Sequence, residues 1–294
     1  MKKKLLLEVY DFLGDNVMLT SIIKNLSEQY NDKYEIGVLT EKFKDVYKNN
    51  PNVNFDINLK NKDIFIKRFG YFNKHDFYAD YGHSIFGFKR HIEEKLGIEI
   101  FIKDMNCDIH LYNDEKENRF GNYWVLNAGF MNNILVKHYP HEKFEQVVKL
   151  LEGKIKFVQV GTGMYHIPID GCINMVNKTS LRQLFNIIYN SRGTLSPISS
   201  TIHLSTMQSP YGKPRPSVVI AGGRENNQLF IYNNTFPISN VGFYDCCKIN
   251  GCLKRNDCNH KVFLNNGLWS PKCMCDISPE RIAETILYCD KYYR

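Results

Sequence analysis

Apolar residues along this chain come in short blocks, and helix-period stretches follow most of them. LLLEVYDFL, from Leu5, is short and apolar enough for a buried strand. It runs into GDNVMLTSIIKNLSEQY, where Val17, Leu19, Ile22, Ile23 and Leu26 recur at helical spacing behind Asp15, a residue placed to cap the helix. YEIGVLT predicts a second strand. EKFKDVYKNN predicts a second helix stopped before Pro51, and VNFDINL a third strand. Between Lys60 and Asn118 only a helix at FGFKRHIEEKLG stands out.

A strand, YWVLNAG, and a loop, FMNNILVKHYP, precede a second run of alternation. HEKFEQVVKLLEG predicts an amphipathic helix, KIKFVQVGTG a strand ending in glycines, and NKTSLRQLFNIIYNS a helix capped by Thr179 or Ser180. TLSPIS and PSVVIAGG read as further strands, and SPERIAETILYCDKYY as a closing helix capped by Ser278. Strands alternating with helices imply parallel sheets covered on both faces. Two such runs, divided near Asp114 to Tyr123, predict an α/β protein of two Rossmann-like domains facing a cleft, with ligands at the carboxyl ends of the strands.

Composition narrows this picture only a little. A chain of 294 residues can hold two domains and a substantial core. The apolar run at the N-terminus is broken by Glu8 and Asp11, too early for a secretory signal, and no run approaches the roughly 20 apolar residues of a membrane span. A cytoplasmic protein is expected. The formal charge of +7 fits a solvated lysine-rich surface or a groove for phosphates. Basic residues are scattered, without a zinc-finger, RRM or KH signature, so a nucleic-acid partner is permitted by charge but not favoured.

Candidate chemistry gathers at strand ends. Asp15 stands where the first strand passes into the first helix, so its carboxylate could take a proton from a hydroxyl as well as cap the helix. VQVGTG lacks the glycines of a dinucleotide fingerprint and reads as a strand end that lets another group approach. In SPISSTIHLSTM, Ser199, Ser200 and Thr201 sit at a strand–helix junction with His203 behind them, an arrangement that suits a phosphate or an ordinary capped helix. Lys137, in the loop after YWVLNAG, is a candidate to neutralise a pyrophosphate; a solvated surface lysine is the plainer alternative.

The densest local signal is YDCCKINGCLKRNDC followed by SPKCMCD. Six of the nine cysteines, Cys246, Cys247, Cys252, Cys258, Cys273 and Cys275, fall between positions 246 and 275. In a cytosolic chain stable disulfides are disfavoured, and the short spacings suit a tetrahedral zinc or iron site, with reduced thiols and disulfides as alternatives. Cys107, Cys172 and Cys289 stand apart and read as ordinary buried thiols.

Taken in order, these pieces resemble glycosyltransferase family 9, the ADP-heptose:lipopolysaccharide heptosyltransferases and their relatives. The resemblance is carried by GDNVMLTSIIKNLSEQY with YEIGVLT and NNPNV, by NAGFMNNILVKHYPHEKF with a lysine before an aromatic-proline pair, and by VQVGTG, NKTSLRQLFNII, SPISSTIHLSTM and KPRPSVVIAGGRE. It implies a GT-B fold: residues 1–120 as the acceptor-binding domain, residues 121–294 as the nucleotide-sugar domain, the latter with a cysteine-rich loop over 244–275. It implies inverting transfer of a heptose or another hexose-like sugar from a nucleotide-sugar donor, ADP-linked in the family, to a hydroxyl of a glycan, lipid-linked glycan or protein acceptor. Carried onto matching positions, Asp15 becomes the base, Lys137 faces the diphosphate, Ser199, Ser200 and His203 surround the phosphates, and Thr179 lies near the nucleoside.

One departure weakens the donor assignment. Where the family's donor loop reads Asp-Ser/Thr-Gly before its histidine, Ile198 takes the aspartate's place and Ser200 the glycine's. This leaves room for a different sugar nucleotide or a non-catalytic relative that binds a sugar nucleotide or metal. A second alternative keeps the enzyme class but acts on protein or modified DNA. The cysteine segment resembles that of the autotransporter heptosyltransferases, which carry a cysteine-ligated iron motif; by this resemblance the six cysteines supply a structural clasp set apart from the chemistry.

Overall fold

The computed structural model describes residues 1–69, 82–130, 134–265 and 267–293. Part of the expected FMNNILVKHYP loop, residues 131–133, lies outside them. Two parallel sheets organise the described chain, and a separate two-stranded antiparallel ribbon lies near the C-terminus.

The first sheet forms around β1 (Lys3–Val9), its central strand, whose Leu5, Leu6 and Leu7 are fully buried, with Leu5 and Leu7 packed into the larger core. Helix α1 (Leu13–Tyr30) follows and lays Val17, Leu19, Ile22, Ile23 and Leu26 against the core, as the periodicity predicts. Next come β2 (Tyr34–Val38), a single helical turn α2 (Lys44–Tyr47), β3 (Ile64–Phe69) and α3 (Ser84–Leu96), giving the strand order β2-β1-β3.

Three local expectations need correction. The third strand is β3, not VNFDINL. There, Asn54 Oδ1 accepts from the Asp56 N–H and Asn58 Oδ1 from the Lys60 N–H, so side chains satisfy the backbone in turns and outcompete a ladder. The second helix shrinks to α2 because Lys48 is extended and Asn49 takes a left-handed φ of 63°. Asp15 does not cap α1: Phe12 occupies the N-cap position and Asp15 is the third helical residue.

The larger sheet comprises β4 (Trp124–Leu126), β5 (Phe157–Gln159), β6 (Cys172–Asn174), β7 (Gly193–Pro197), β8 (Ser217–Gly222) and β9 (Thr235–Ser239). Interleaved with them are α4 (His141–Leu150), α5 (Leu181–Asn190) and α6 (Ser200–Leu204). Every pairing is parallel and the order is β6-β5-β4-β7-β8-β9. Numbered within this half, that is 3-2-1-4-5-6, the doubly wound order in which the chain reverses direction between β4 and β7. Ser180, not Thr179, caps α5, through a reciprocal box with Gln183.

Strand pleating sends alternate side chains to two cores. Trp124, Leu126, Leu195, Val218 and Ile220 face Phe144 and Val147 of α4 and Ile282 and Ile286 of α8 (Pro279–Tyr292), which Ser278 caps. Val125, Val158 and Val219 face the other way, into one continuous core with β1, α1, α3, α5 and α6. Arg182 of α5 ties this junction down, pairing with Glu115 and donating to the carbonyls of Asp45 and His110. The ribbon of β10 (Lys261–Phe263) and β11 (Trp269–Pro271) leads through a short turn, α7 (Lys272–Cys275), into α8.

Gly193 has no room for a side chain, since a Cβ there would sit 2.6 Å from the Trp124 indole. Gly193→Ala is therefore expected to cost about 1–3 kcal/mol by overpacking. Urea unfolding would measure it, and a change within experimental error would mean the indole has space to shift.

Candidate active site

The carboxyl ends of β4 and β7 meet at the switch point, where open α/β sheets leave a crevice for ligands. Asn127, just past β4, donates through Nδ2 to Thr201 Oγ1 at 2.9 Å and so links the two strand ends. Ser199 caps α6 and its hydroxyl also contacts Ser196, while Ser200 is the first residue of that turn. Helix α1 packs against α6. A Cβ on Gly14 would lie 3.4 Å from the His203 ring and 3.9 Å from the Ser200 Cα, which sets the start of α1 directly over the β7–α6 junction.

Asp15 is 8% exposed there. Burial raises its carboxyl to about 7, against the pull of the Lys137 charge. The next residue, Asn16, fixes the turn by donating to the carbonyls of Tyr10 and Phe12, and Tyr47 hydrogen-bonds Asn16 from below. Tyr47 itself is held well above its usual value by burial and by the Asp15 charge. A carboxyl poised near neutrality beside a cation, on a braced turn, is equipped to accept a proton.

Lys137 belongs to the short 3₁₀ turn Leu135–Lys137 and is not a solvated surface lysine. Burial and the neighbouring Arg224 pull its ammonium well below the usual lysine value, while Asp15 pulls the other way. Its Nζ lies 3.0 Å from Glu225 Oε1, and Arg224 pairs with the same carboxylate. This largely buried Lys137–Glu225–Arg224 group, with the carboxylate the most enclosed of the three, was not read from the sequence. Its signal was the charged pair in GGRE, straight after the strand PSVVIAGG.

His203 is buried and burial lowers it to about 3, with His83 and Lys137 adding to the effect. Its Nδ1 lies 2.7 Å from the Tyr232 hydroxyl, and the His83 ring meets Tyr232 edge to face with centroids 4.4 Å apart. A neutral imidazole can orient and hydrogen-bond but carries no charge for a phosphate. Thus Asp15, Lys137, Ser200 and His203 converge. Thr179 is half-buried beyond β6, two strands along the same carboxyl edge. Ile198 packs partly buried against the core.

The cysteines divide. Burial pushes Cys273 up to about 12, with Cys247, Cys258 and Cys252 pushing the same way; Cys252 is raised by burial too, with Cys258 and Cys247 adding. Cys246 feels burial, then Cys247, Cys252 and Cys258. Cys275 instead hydrogen-bonds Ser270 and neighbours Lys143. Among the described residues no group of three or more His, Cys, Asp or Glu side chains is already arranged to hold an ion. The backbone does make room for sulfur: a Cβ on Gly223 would fall 2.6 Å from Cys247 Sγ, and one on Gly222 would fall 3.4 Å from Cys273 Sγ. Cys107 and Cys289 are buried and Cys172 half-buried, as free thiols. No described helix is long and apolar enough to cross a membrane.

No family model and no curated protein matches the sequence. Solved structures do match. A glycosyl transferase family 9 protein from Veillonella parvula aligns over 98% of this chain and 97% of its own, at 13% identity and a TM-score of 0.65. The E. coli ADP-heptose lps heptosyltransferase II aligns over 99% and 98%, at 14% identity and a TM-score of 0.66. The iron-containing dodecameric glycosyltransferase TibC from enterotoxigenic E. coli aligns over all of this chain and 78% of its own, at 14% identity and a TM-score of 0.67. The chain therefore shares the fold of family 9 glycosyltransferases, as the ordered motifs anticipate.

Proposed function

We propose that the protein is an inverting glycosyltransferase of GT-B type, moving a heptose or another hexose-like sugar from a nucleotide-sugar donor to an acceptor hydroxyl. The observation that carries this reading is the Asp15 carboxyl, raised to about 7 and electrically coupled to Lys137 where the chain reverses between β4 and β7. In this reading residues 1–120 bind the acceptor and residues 121–294 the donor. Asp15 removes a proton from the attacking hydroxyl as that oxygen bonds the anomeric carbon and the nucleoside diphosphate departs. Lys137, with the hydroxyls and amides around Ser199 and Ser200, stabilises the charge that grows on the departing diphosphate. His203, neutral and held by Tyr232, serves as a hydrogen-bonding wall. Thr179 stands at the nucleoside end: two strand spacings, roughly 10 Å along the edge from β4, suit the reach from diphosphate to nucleoside.

A cysteine-bound zinc or iron fits this chain. Cys247, Cys252, Cys258 and Cys273 neighbour one another, the glycines at 222 and 223 leave space for their sulfurs, and thiolates are the donors such ions prefer. Bound there, the metal would supply cross-linking of the loop and no open position for substrate. Cys246, which also neighbours Cys247, Cys252 and Cys258, is the alternative fourth ligand, and Cys275 is the thiol left over.

A panel of ADP-, GDP-, UDP-, CMP- and dTDP-sugars, ADP-heptose among them, tests the reading by thermal shift and by slow donor hydrolysis. One nucleotide class is expected to raise Tm and to be turned over with inversion at the anomeric carbon. Binding without any turnover of any donor would sink the enzymatic reading and leave a sugar-nucleotide binding protein.

A further inference from the structure

The chain between Cys252 and Cys258 leans on the donor side of the larger sheet at two places. It grips the turn that carries Lys137: the Leu135 N–H donates to Asn256 Oδ1 at 2.9 Å and the Val136 N–H to the Arg255 carbonyl at 3.1 Å. It also grips the loop after β8. The Cys252 N–H donates to the Gly223 carbonyl at 3.1 Å, the Leu253 N–H donates to the Arg224 carbonyl at 3.0 Å, and Arg224 Nε donates back to the Lys254 carbonyl at 2.8 Å. Arg224 and Lys137 share Glu225, so one stretch of backbone fixes both cations of the buried group.

This grip is not a by-product of core packing, because Arg255 and Asn256 are exposed. The stretch also holds strain for it. Leu253, which docks on Arg224, has φ 54°, a left-handed conformation that a branched side chain avoids unless its surroundings impose it. Gly251, at φ 77°, sits where any Cβ would strike the Arg224 carbonyl. Strain of this kind concentrates where geometry matters to function.

We propose that the segment Gly251–Asn256 is a positioning element of the diphosphate site. It sets the Lys137 ammonium and the Arg224 guanidinium in register for the two phosphate groups of a nucleoside diphosphate, with Glu225 as the carboxylate that the diphosphate relieves. The cysteine segment then governs donor affinity and is not only a clasp. This rests on Lys137 being the diphosphate-facing cation.

The test compares nucleoside diphosphate with monophosphate (ADP with AMP, GDP with GMP, UDP with UMP) by calorimetric titration of the full chain. Wild type, Lys137→Met, Asn256→Ala and Asn256→Asp are titrated at physiological salt, where an exposed added charge is screened. Asn256→Ala removes one side-chain acceptor at an exposed position, so Tm should hold. Diphosphate affinity is expected to fall about fivefold, the worth of one hydrogen bond, with monophosphate affinity unchanged. Asn256→Asp keeps the acceptor and is expected to restore most of the difference. Equal loss of both affinities together with Tm would mean a structural role only and overturn the inference, as would an Asn256→Ala protein identical to wild type. If Lys137→Met keeps the diphosphate preference, or no nucleotide binds wild type, the reading of the donor site fails and the inference falls with it.

Discussion

Replacing Asp15 by Asn is expected to lower sugar transfer by about two to four orders of magnitude, the range a positioned base contributes, while donor affinity stays near that of the parent protein. The amide keeps the shape and loses only the proton acceptor. The turn is held independently by Asn16 and Tyr47, so its geometry should survive. Single-turnover transfer and donor titration would measure the two effects separately. A variant that transfers at a comparable rate would remove Asp15 from the chemistry altogether.

Stability should move in the opposite direction. The carboxyl titrates at about 7 in the folded chain against 3.8 in an unfolded one, so between those values the native state binds the extra proton. Stability from this group is therefore fully present below the unfolded value and is lost as pH rises through about 7. At pH 8 the ionised Asp15 is a burden of at most about 4 kcal/mol by linkage arithmetic. Asp15→Asn should relieve part of it, raising Tm at pH 8 more than at pH 5. A capping aspartate would give the reverse, a lower Tm on substitution, and the N-cap position of Phe12 already argues against that role. Activity follows the same group from the other side, rising with pH through about 7 as the base becomes ionised.

What the sequence disclosed follows from burial. β1 and β8 have buried central residues, so LLL in the first and VVIA in the second read as short apolar runs. The edge strands β6 and β9 are short and half-covered, and CIN and TFPIS carry no period to distinguish them from loop. VNFDINL misleads because alternating Val, Phe, Ile and Leu mimic a strand while the interleaved Asn residues satisfy the backbone locally. At the candidate site, the order of motifs singles out Asp15 and Lys137, which the fold brings into electrostatic reach of each other. The Lys137–Glu225 pair and the seating of Gly251–Asn256 on both cations were not legible, since they arise from tertiary closure between segments far apart in the chain. A polar stretch dense in cysteines reads as self-contained until the fold shows what it rests against.

Lys137→Met probes two roles at once, because the lysine is electrostatically coupled to Asp15 and, in the proposed reading, faces the diphosphate. Methionine retains the unbranched length without the charge, and Glu225 keeps Arg224 as its partner, so folding should change little. Transfer is expected to fall by about two to three orders of magnitude, the scale on which removing one preorganised electrostatic contact to a leaving group is felt. Binding of nucleoside diphosphate should weaken far more than binding of monophosphate. The residual activity should also titrate differently. The Lys137 charge is what holds the Asp15 carboxyl down against burial, so without it the carboxyl rises further and the pH–rate midpoint moves above about 7. A midpoint that stays put while transfer collapses would separate the lysine from Asp15 and confine it to the donor. A shifted midpoint with diphosphate affinity intact would do the opposite, leaving Lys137 as a counter-ion of the base and assigning the diphosphate to Arg224. Both effects appearing together are what the geometry of the Lys137–Glu225–Arg224 group predicts.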